Sequence, residues 1–297
     1  MKKSLGVLCS LWLMVLAACG GSGVIVPPTE DFGGPEFAAV VVNTDLAIGR
    51  ERIAFGVVRR DGPPLEAEAA TVRTYYLPAG SDARELRETL TAKYEPWPFL
   101  GGVFVIHPNL DSSGAWELEA EFTSSDGLAV IAKSAFLVKE SSATPAVGAQ
   151  APVSVTAKAS EVSDLSHITT DPSPDPALYT LSLHEALAAE KPVVVLFATP
   201  AYCVTATCGP LVDDLSGIRE RFDGRANFVH VEVYRDPHLI ASGERPGKDD
   251  VVDAVSEWGL PTEPWTFVVD ADGIVHAKFE SYAPPDTIVA SLQEALN

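Results

Sequence analysis

The chain has 297 residues, of which 41 are Asp or Glu and 21 are Lys or Arg, giving a formal net charge of −20 at pH 7. This length predicts about two domains of ordinary size. The acidic charge argues against a nucleic-acid partner, which needs a basic surface, and against electrostatic attraction to anionic lipid.

The N-terminus has the layout of a secretory signal. Lys2 and Lys3 precede an apolar stretch, residues 5–16, that is too short to span a bilayer. Residues 16–20 then read Leu-Ala-Ala-Cys-Gly and resemble the lipobox of bacterial lipoproteins. The resemblance implies a signal peptide over residues 1–18 and a lipid on the sulfur of Cys19. It predicts a protein anchored, rather than spanning, on the extracytoplasmic face of the cell membrane; an ordinary signal peptide is the alternative.

Two of the four cysteines are then left for chemistry. Cys9 lies in the signal peptide and Cys19 carries the lipid, so Cys203 and Cys208 remain. Outside the cytoplasm such a pair can persist as a disulfide. The Gly- and Pro-rich stretch over residues 19–37 predicts a flexible tether before the first domain.

Residues 38–139 predict an all-β domain. Alternation of apolar and polar residues is clearest over residues 116–122, and turn signals such as Asp126-Gly127 separate the candidate strands. The candidate strands are 38–43, 52–58, 71–77, 102–107, 115–124 and 128–138. Over residues 79–93 the sequence leaves two structures open, a short helix and a decorated loop. The pattern is similar to Ig-like bacterial surface modules, which implies a β-sandwich.

Residues 140–177 are rich in Pro, Ser, Ala and Thr and predict a linker. The run from Asp171 to Pro176 holds three prolines and cannot be helical. Residues 153–156 are a candidate edge strand within this linker.

Residues 178–297 alternate between apolar runs and helical patterns. The predicted elements are a helix over 182–190, a strand over 192–198, a helix over 209–222, a strand over 227–234, a helix over 249–258, strands over 265–269 and 274–279, and a helix over 286–295. This order, together with Lys-Pro-Val-Val-Val-Leu-Phe at 191–197 and Pro-Trp-Thr-Phe-Val-Val-Asp-Ala-Asp-Gly at 264–273, resembles the thioredoxin fold of membrane-anchored thioredoxin-family proteins. The fold class predicted for the whole chain is therefore an α/β thioredoxin-like C-terminal domain after an Ig-like all-β domain.

The cysteine spacing departs from that family, which has Cys-x-x-Cys where this chain has four residues between Cys203 and Cys208. Two alignments remain open. Cys203 is the nucleophile in one, and Cys208 matches the Cys-Gly-Pro of thioredoxin in the other. A bridge between the two requires Cys203 to lie outside the following helix, because residues five apart in one helix are too far apart for a disulfide. Thr205 and Thr207 are candidate N-caps for that helix.

The resemblance also implies a substrate-binding proline. In the family a cis-proline precedes the central strand, and the residue before it presents its backbone to the incoming chain. These positions match Glu263 and Pro264, with Pro261 as the alternative proline. A proline that merely begins a strand is the plainer interpretation.

The resemblance predicts thiol–disulfide exchange with a protein client through Cys203 and Cys208, with no cofactor and no metal. Two alternatives stay open: an anchored, non-enzymatic adaptor whose cysteines form a structural disulfide, and a peroxidase, since residues 199–208 are similar to a peroxiredoxin motif with one extra residue. A copper carrier would need two thiolates and a histidine, and His184, His230 and His276 do not occupy the usual position.

Overall fold

The computed structural model describes residues 35–60, 62–98, 101–240 and 246–297. The predicted signal peptide, Cys19 and nearly all of the tether lie outside these residues. Within the described ranges, no helix is both long and apolar enough to cross a bilayer.

The first part of the chain is all-β. Seven strands form one antiparallel sheet in the order β1-β3-β6-β5-β4-β8-β9, and β1 approaches β9 so that the sheet nearly closes into a barrel. A short β2–β7 pair lies apart from it. The strands are β1 (Phe37–Val41), β2 (Gly49–Arg50), β3 (Ile53–Arg59), β4 (Ala69–Leu77), β5 (Glu85–Trp97), β6 (Gly101–Ile106), β7 (Asn109–Leu110), β8 (Gly114–Thr123) and β9 (Ala129–Val138).

The six strands expected between residues 38 and 139 are all present, within a few residues of the predicted ends. Alternation predicted β8 well: Trp116, Leu118 and Ala120 point into the core, and the residues between them are more exposed. Residues 79–93, for which the sequence favoured neither helix nor loop, are mostly strand β5. Its strand conformation comes from pairing with β4 and β6, a tertiary effect that local sequence does not encode.

The predicted linker contains no strand, although Gln150 forms an isolated antiparallel bridge with Ile274. It contains three short 3₁₀ turns, at Ala159–Glu161, Leu165–His167 and Pro176–Tyr179. The candidate edge strand at 153–156 is therefore not a strand. The backbone there is held by side chains instead, since Thr156 N–H donates to Ser182 Oγ (2.8 Å) and Leu183 N–H donates to Thr156 Oγ1 (2.9 Å).

The last part of the chain has a four-stranded mixed sheet with helices on both faces. The strand order is β11-β10-β12-β13, with β10 parallel to β11 and antiparallel to β12. Helices α2 and α4 pack on the face that carries Val194 and Leu196, and α1 and α3 on the face that carries Val195. The elements are α1 (Leu183–Leu187), β10 (Val193–Ala198), α2 (Cys208–Arg221), β11 (Asn227–Glu232), α3 (Asp253–Glu257), β12 (Trp265–Val269), β13 (Val275–Glu280) and α4 (Pro285–Ala295).

Two helices are shorter than expected. Helix α1 begins where the sequence predicted, with Glu185 accepting the Ser182 N–H (2.9 Å), but it ends at Leu187 rather than residue 190. The helix expected over 249–258 is reduced to α3. The first half of the expected helix does not form, because Val251 makes a bridge with Tyr234 and Val252 N–H donates to the carbonyl oxygen of Val233, just after β11 (2.9 Å).

The two sheets share a hydrophobic core within one compact unit, Pro35–Asn297. Trp97, at the end of β5, packs edge-to-face on Tyr282 with ring centroids 6.0 Å apart. The backbone N–H and hydroxyl of Thr44 donate to the buried carboxylate of Glu280, at 2.8 and 2.6 Å. The β region therefore contacts the end of β13 directly.

Candidate functional site

Cys203 and Cys208 form a disulfide at the end of β10 and the start of α2. Strand β10 ends at Ala198, a loop follows, and α2 begins at Cys208. The two Cα atoms are 6.0 Å apart, within the range that a disulfide requires. The inference that a bridge needs Cys203 outside the helix is thus confirmed.

The two sulfur-bearing residues differ in exposure and in contacts. Cys208 is fully buried in the core beside Leu211, whereas Cys203 is half-buried. Cys208 N–H donates to Cys203 Sγ (3.3 Å), and Thr205 Oγ1 lies 3.4 Å from the same sulfur. Because α2 has 14 residues, its N-terminus adds a partial positive charge near both sulfurs. Cys203 therefore has the more polar surroundings of the two.

The two threonines expected to cap α2 do not do so. Thr207 occupies the N-cap position but its backbone is helical and its side chain makes no capping bond. Its Oγ1 instead lies 2.8 Å from Thr205 Oγ1. Pro210 is the third residue of α2 and lies in the first turn as predicted, where a missing N–H costs no intrahelical bond.

The Glu263–Pro264 peptide bond is cis, as expected, and no other cis bond occurs among the described residues. Trp265 pairs with Phe197, one residue before the end of β10. Pro264 therefore lies at the same end of the sheet as the loop that carries Cys203. Pro264 is buried and Glu263 half-buried, and burial raises the pKa of the Glu263 carboxyl.

His230 lies in β11, beneath the end of β10, and is buried. Its Nε2 lies 3.1 Å from the Ala198 carbonyl oxygen, which can only accept, so Nε2 carries the proton and donates. Nδ1 then accepts from the Tyr179 hydroxyl (2.7 Å). Burial lowers the pKa of His230 to about 4, so the ring is neutral at pH 7. Both ring nitrogens are thus used in structural hydrogen bonds.

The sequence did not predict a buried carboxylate near the cysteine loop, which is the segment 199–207 between β10 and α2. Glu232, the last residue of β11, is 4 % exposed and accepts two hydrogen bonds from Thr170 of the predicted linker. Burial raises the pKa of the Glu232 carboxyl, and these hydrogen bonds oppose the shift. A sequence signal existed, because Glu232 is a charged residue in an otherwise apolar strand, but its partner is 62 residues away.

The histidines considered for a metal site are dispersed. His184 Nδ1 lies 2.8 Å from Ser182 Oγ, and His276 Nε2 lies 3.3 Å from a Glu294 carboxylate oxygen. In the part of the chain that the structure describes, no three His, Cys, Asp or Glu side chains are arranged to hold a metal ion.

A cavity of about 170 Å³ lies between the linker and β11. Its walls are mainly apolar and include Val155, Ile168 and Val252, together with Glu232 and Tyr234. The Tyr234 ring packs edge-to-face on Tyr202, which precedes Cys203, with centroids 5.7 Å apart.

Comparison with known proteins gives no family. No family model matches the chain, and no curated protein matches it. Among solved structures, it is similar to CopC from Methylosinus trichosporium OB3b at a TM-score of 0.23 and 13 % identity, over 34 % of this chain and 93 % of that one. A superoxide reductase (neelaredoxin) from Ignicoccus hospitalis matches at 0.21 and 12 %, over 35 % and 80 %. A hypothetical protein from Pyrococcus horikoshii OT3 matches at 0.21 and 14 %, over 35 % and 90 %. Likenesses of this strength assign neither fold nor function.

Proposed function

We propose that this protein is a lipid-anchored, extracytoplasmic thiol–disulfide oxidoreductase that acts on protein clients through Cys203 and Cys208. The observation that carries the proposal is the asymmetric disulfide at the start of α2. One sulfur belongs to a half-buried residue and accepts a backbone N–H, and the other belongs to a fully buried residue. A structural disulfide has no need of such a difference, whereas an exchange reaction needs one attacking and one resolving sulfur.

The arrangement of the second sheet supports a thioredoxin-like domain. The sheet has parallel β10 and β11, antiparallel β12 and β13, and two helices on each face. The cysteine pair follows β10, and the cis peptide bond before Pro264 precedes β12 at the same end of the sheet. We assign Glu263 and Pro264 the role of binding the client backbone. The Ig-like character of the β region likewise stays a proposal.

We assign the nucleophile to Cys203. Its thiolate attacks a client disulfide, forming one sulfur–sulfur bond and releasing one client thiolate. The Cys208 thiolate then attacks the Cys203 sulfur, re-forming the intramolecular disulfide and releasing the second client thiolate. The client gains two electrons and the cysteine pair loses two, and a dithiol donor returns the pair to the reduced state.

Single-cysteine variants test this assignment with oxidised glutathione as the probe. The Cys208→Ser variant should form a stable mixed disulfide with glutathione, detected by intact mass. The matched Cys203→Ser variant should react far more slowly, because its remaining thiol is buried. The reverse outcome would move the nucleophile to Cys208.

The reduction potential of the native pair decides between exchange and the structural alternative. A value between about −120 and −270 mV supports exchange, and one below about −300 mV supports an adaptor with a structural disulfide.

Faster turnover of hydrogen peroxide than of disulfides would favour the peroxidase alternative. For the anchor, the Cys19→Ser variant should move from the membrane fraction to the soluble fraction.

A further inference from the structure

The predicted linker makes a direct contact with the loop that carries Cys203. Ala201 N–H, two residues before Cys203, donates to Thr170 Oγ1 (3.1 Å). The same hydroxyl donates to Glu232 Oε2 (2.7 Å), and Thr170 N–H donates to that oxygen as well (2.8 Å). One side chain of the linker therefore joins the cysteine loop to the end of β11.

Glu232 fixes the orientation of the Thr170 hydroxyl. The Thr170 hydroxyl has one proton and donates it to Glu232 Oε2, so its lone pairs are left to accept the Ala201 N–H. The carboxylate is itself held in place, because its other oxygen accepts Val233 N–H (3.1 Å). Since Glu232 is 4 % exposed, water competes little for these bonds.

We propose that Thr170, oriented by Glu232, is a positioning residue for the cysteine pair. It holds the loop over residues 199–203 so that Cys203 stays beside Cys208 when the disulfide is reduced. This inference rests on the proposed exchange reaction and adds to it a residue outside the thioredoxin-like region.

The expected effect follows from the freedom of the loop in each redox state. In the oxidised protein the disulfide already restrains Cys203, so the hydrogen bond adds little restraint. In the reduced protein the hydrogen bond to Ala201 is one of the restraints that remain, together with the packing of Tyr202 on Tyr234, and its loss increases the number of loop conformations. The effective concentration of one thiol at the other then falls, and the disulfide becomes easier to reduce.

The Thr170→Val variant removes the hydroxyl at nearly constant volume. One typical hydrogen bond corresponds to about a fivefold change in the equilibrium constant for disulfide formation, which is about 20 mV for a two-electron couple. We expect the potential of Thr170→Val to be less negative than that of the wild type by up to this amount, because the bond is lost from both redox states and only the difference shifts the potential. The matched Thr170→Ser variant keeps the hydroxyl and should retain the wild-type potential.

A second comparison tests the role of Glu232. If Glu232 acts through Thr170, the Glu232→Gln substitution should change the potential in the wild type and cause no further change in the Thr170→Val background. Thermal unfolding of each variant measures the loss of stability separately. Thr170 is half-buried on a segment outside the sheets, and Thr170→Ala makes the same deletion should the valine variant not fold.

The proposal is wrong if Thr170→Val has the wild-type potential, or if Thr170→Ser shifts as much as Thr170→Val. These differences in potential are measurable even when the wild type lies below about −300 mV and exchanges with nothing. A wild-type potential below about −300 mV would overturn the proposed function, and the comparison of the Thr170 variants would still decide whether Thr170 positions Cys203.

Discussion

Reduction of the Cys203–Cys208 disulfide should lower the stability of the protein by a small, calculable amount. The cross-link closes a loop with a sequence separation of 5. The chain-entropy relation gives about 7 cal/mol/K for such a loop, or about 2 kcal/mol at 25 °C. A disulfide across a loop this short contributes little to stability compared with one that closes a long loop.

A thermodynamic cycle turns this value into a second, independent quantity. If the folded protein gains about 2 kcal/mol from the disulfide, the folded protein must favour the disulfide over the dithiol about 30-fold more than the unfolded chain does. For a two-electron couple this places the potential of the folded protein about 45 mV below that of the unfolded chain.

Guanidinium unfolding of oxidised and reduced protein measures the first quantity, and glutathione titration with and without denaturant measures the second. The Cys203→Ala variant, unfolded without reductant, is the matched control for effects of the reductant elsewhere. A loss above about 4 kcal/mol, or a disagreement between the two measurements beyond their errors, would refute the reasoning and indicate that reduction rearranges the fold around α2.

Two further predictions concern buried ionisable groups. Folding lowers the pKa of His230 from 6.5 to about 4, so the folded state binds fewer protons than the unfolded chain between these pH values. The free energy of unfolding should therefore be highest above pH 6.5 and should fall by up to about 3 kcal/mol as the pH drops to 4. Urea unfolding across this range measures the change, and a flat profile would contradict a neutral buried ring. Asp45, 2 % exposed, accepts five hydrogen bonds, including one from Lys139 Nζ (2.9 Å) and others that fix the start of the linker. Although burial alone would raise the pKa of Asp45, these bonds hold it well below 3.8. The stability that these bonds provide is thus present above pH 4 and lost on acidification. The Asp45→Asn substitution should lower the free energy of unfolding by about 3 kcal/mol at pH 7. A loss below about 1 kcal/mol in the same unfolding assay would show that an amide satisfies the site equally well.

Local pattern predicted the elements whose conformation depends on near neighbours. The start of α2 was placed within one residue, because Pro210 and the spacing of Leu211, Leu215 and Ile218 are signals within one segment. Strand β5 was not identified, since its charged residues alternate with few large apolar ones and its pairing partners are elsewhere in the chain.

The candidate site divides in the same way. The cysteine pair and the proline before β12 can be recognised as sequence motifs, but the residues that surround them in the fold cannot. The contact between Thr170 and Glu232 joins residues 62 positions apart. Nothing in a Pro- and Ser-rich segment indicates that one of its hydroxyls faces a buried carboxylate, because that contact depends on how the segment crosses the edge of β11.

The shared core between the two sheets has a consequence for how the chain can be divided. A fragment that begins at residue 178 would lack Thr170 and would also uncover the surface on which Trp97 packs against Tyr282. It would leave the buried Glu280 without the two hydrogen bonds from Thr44. The β region thus acts as a covering layer whose removal exposes apolar surface around Tyr282, so proteolysis at the linker should yield aggregation-prone pieces.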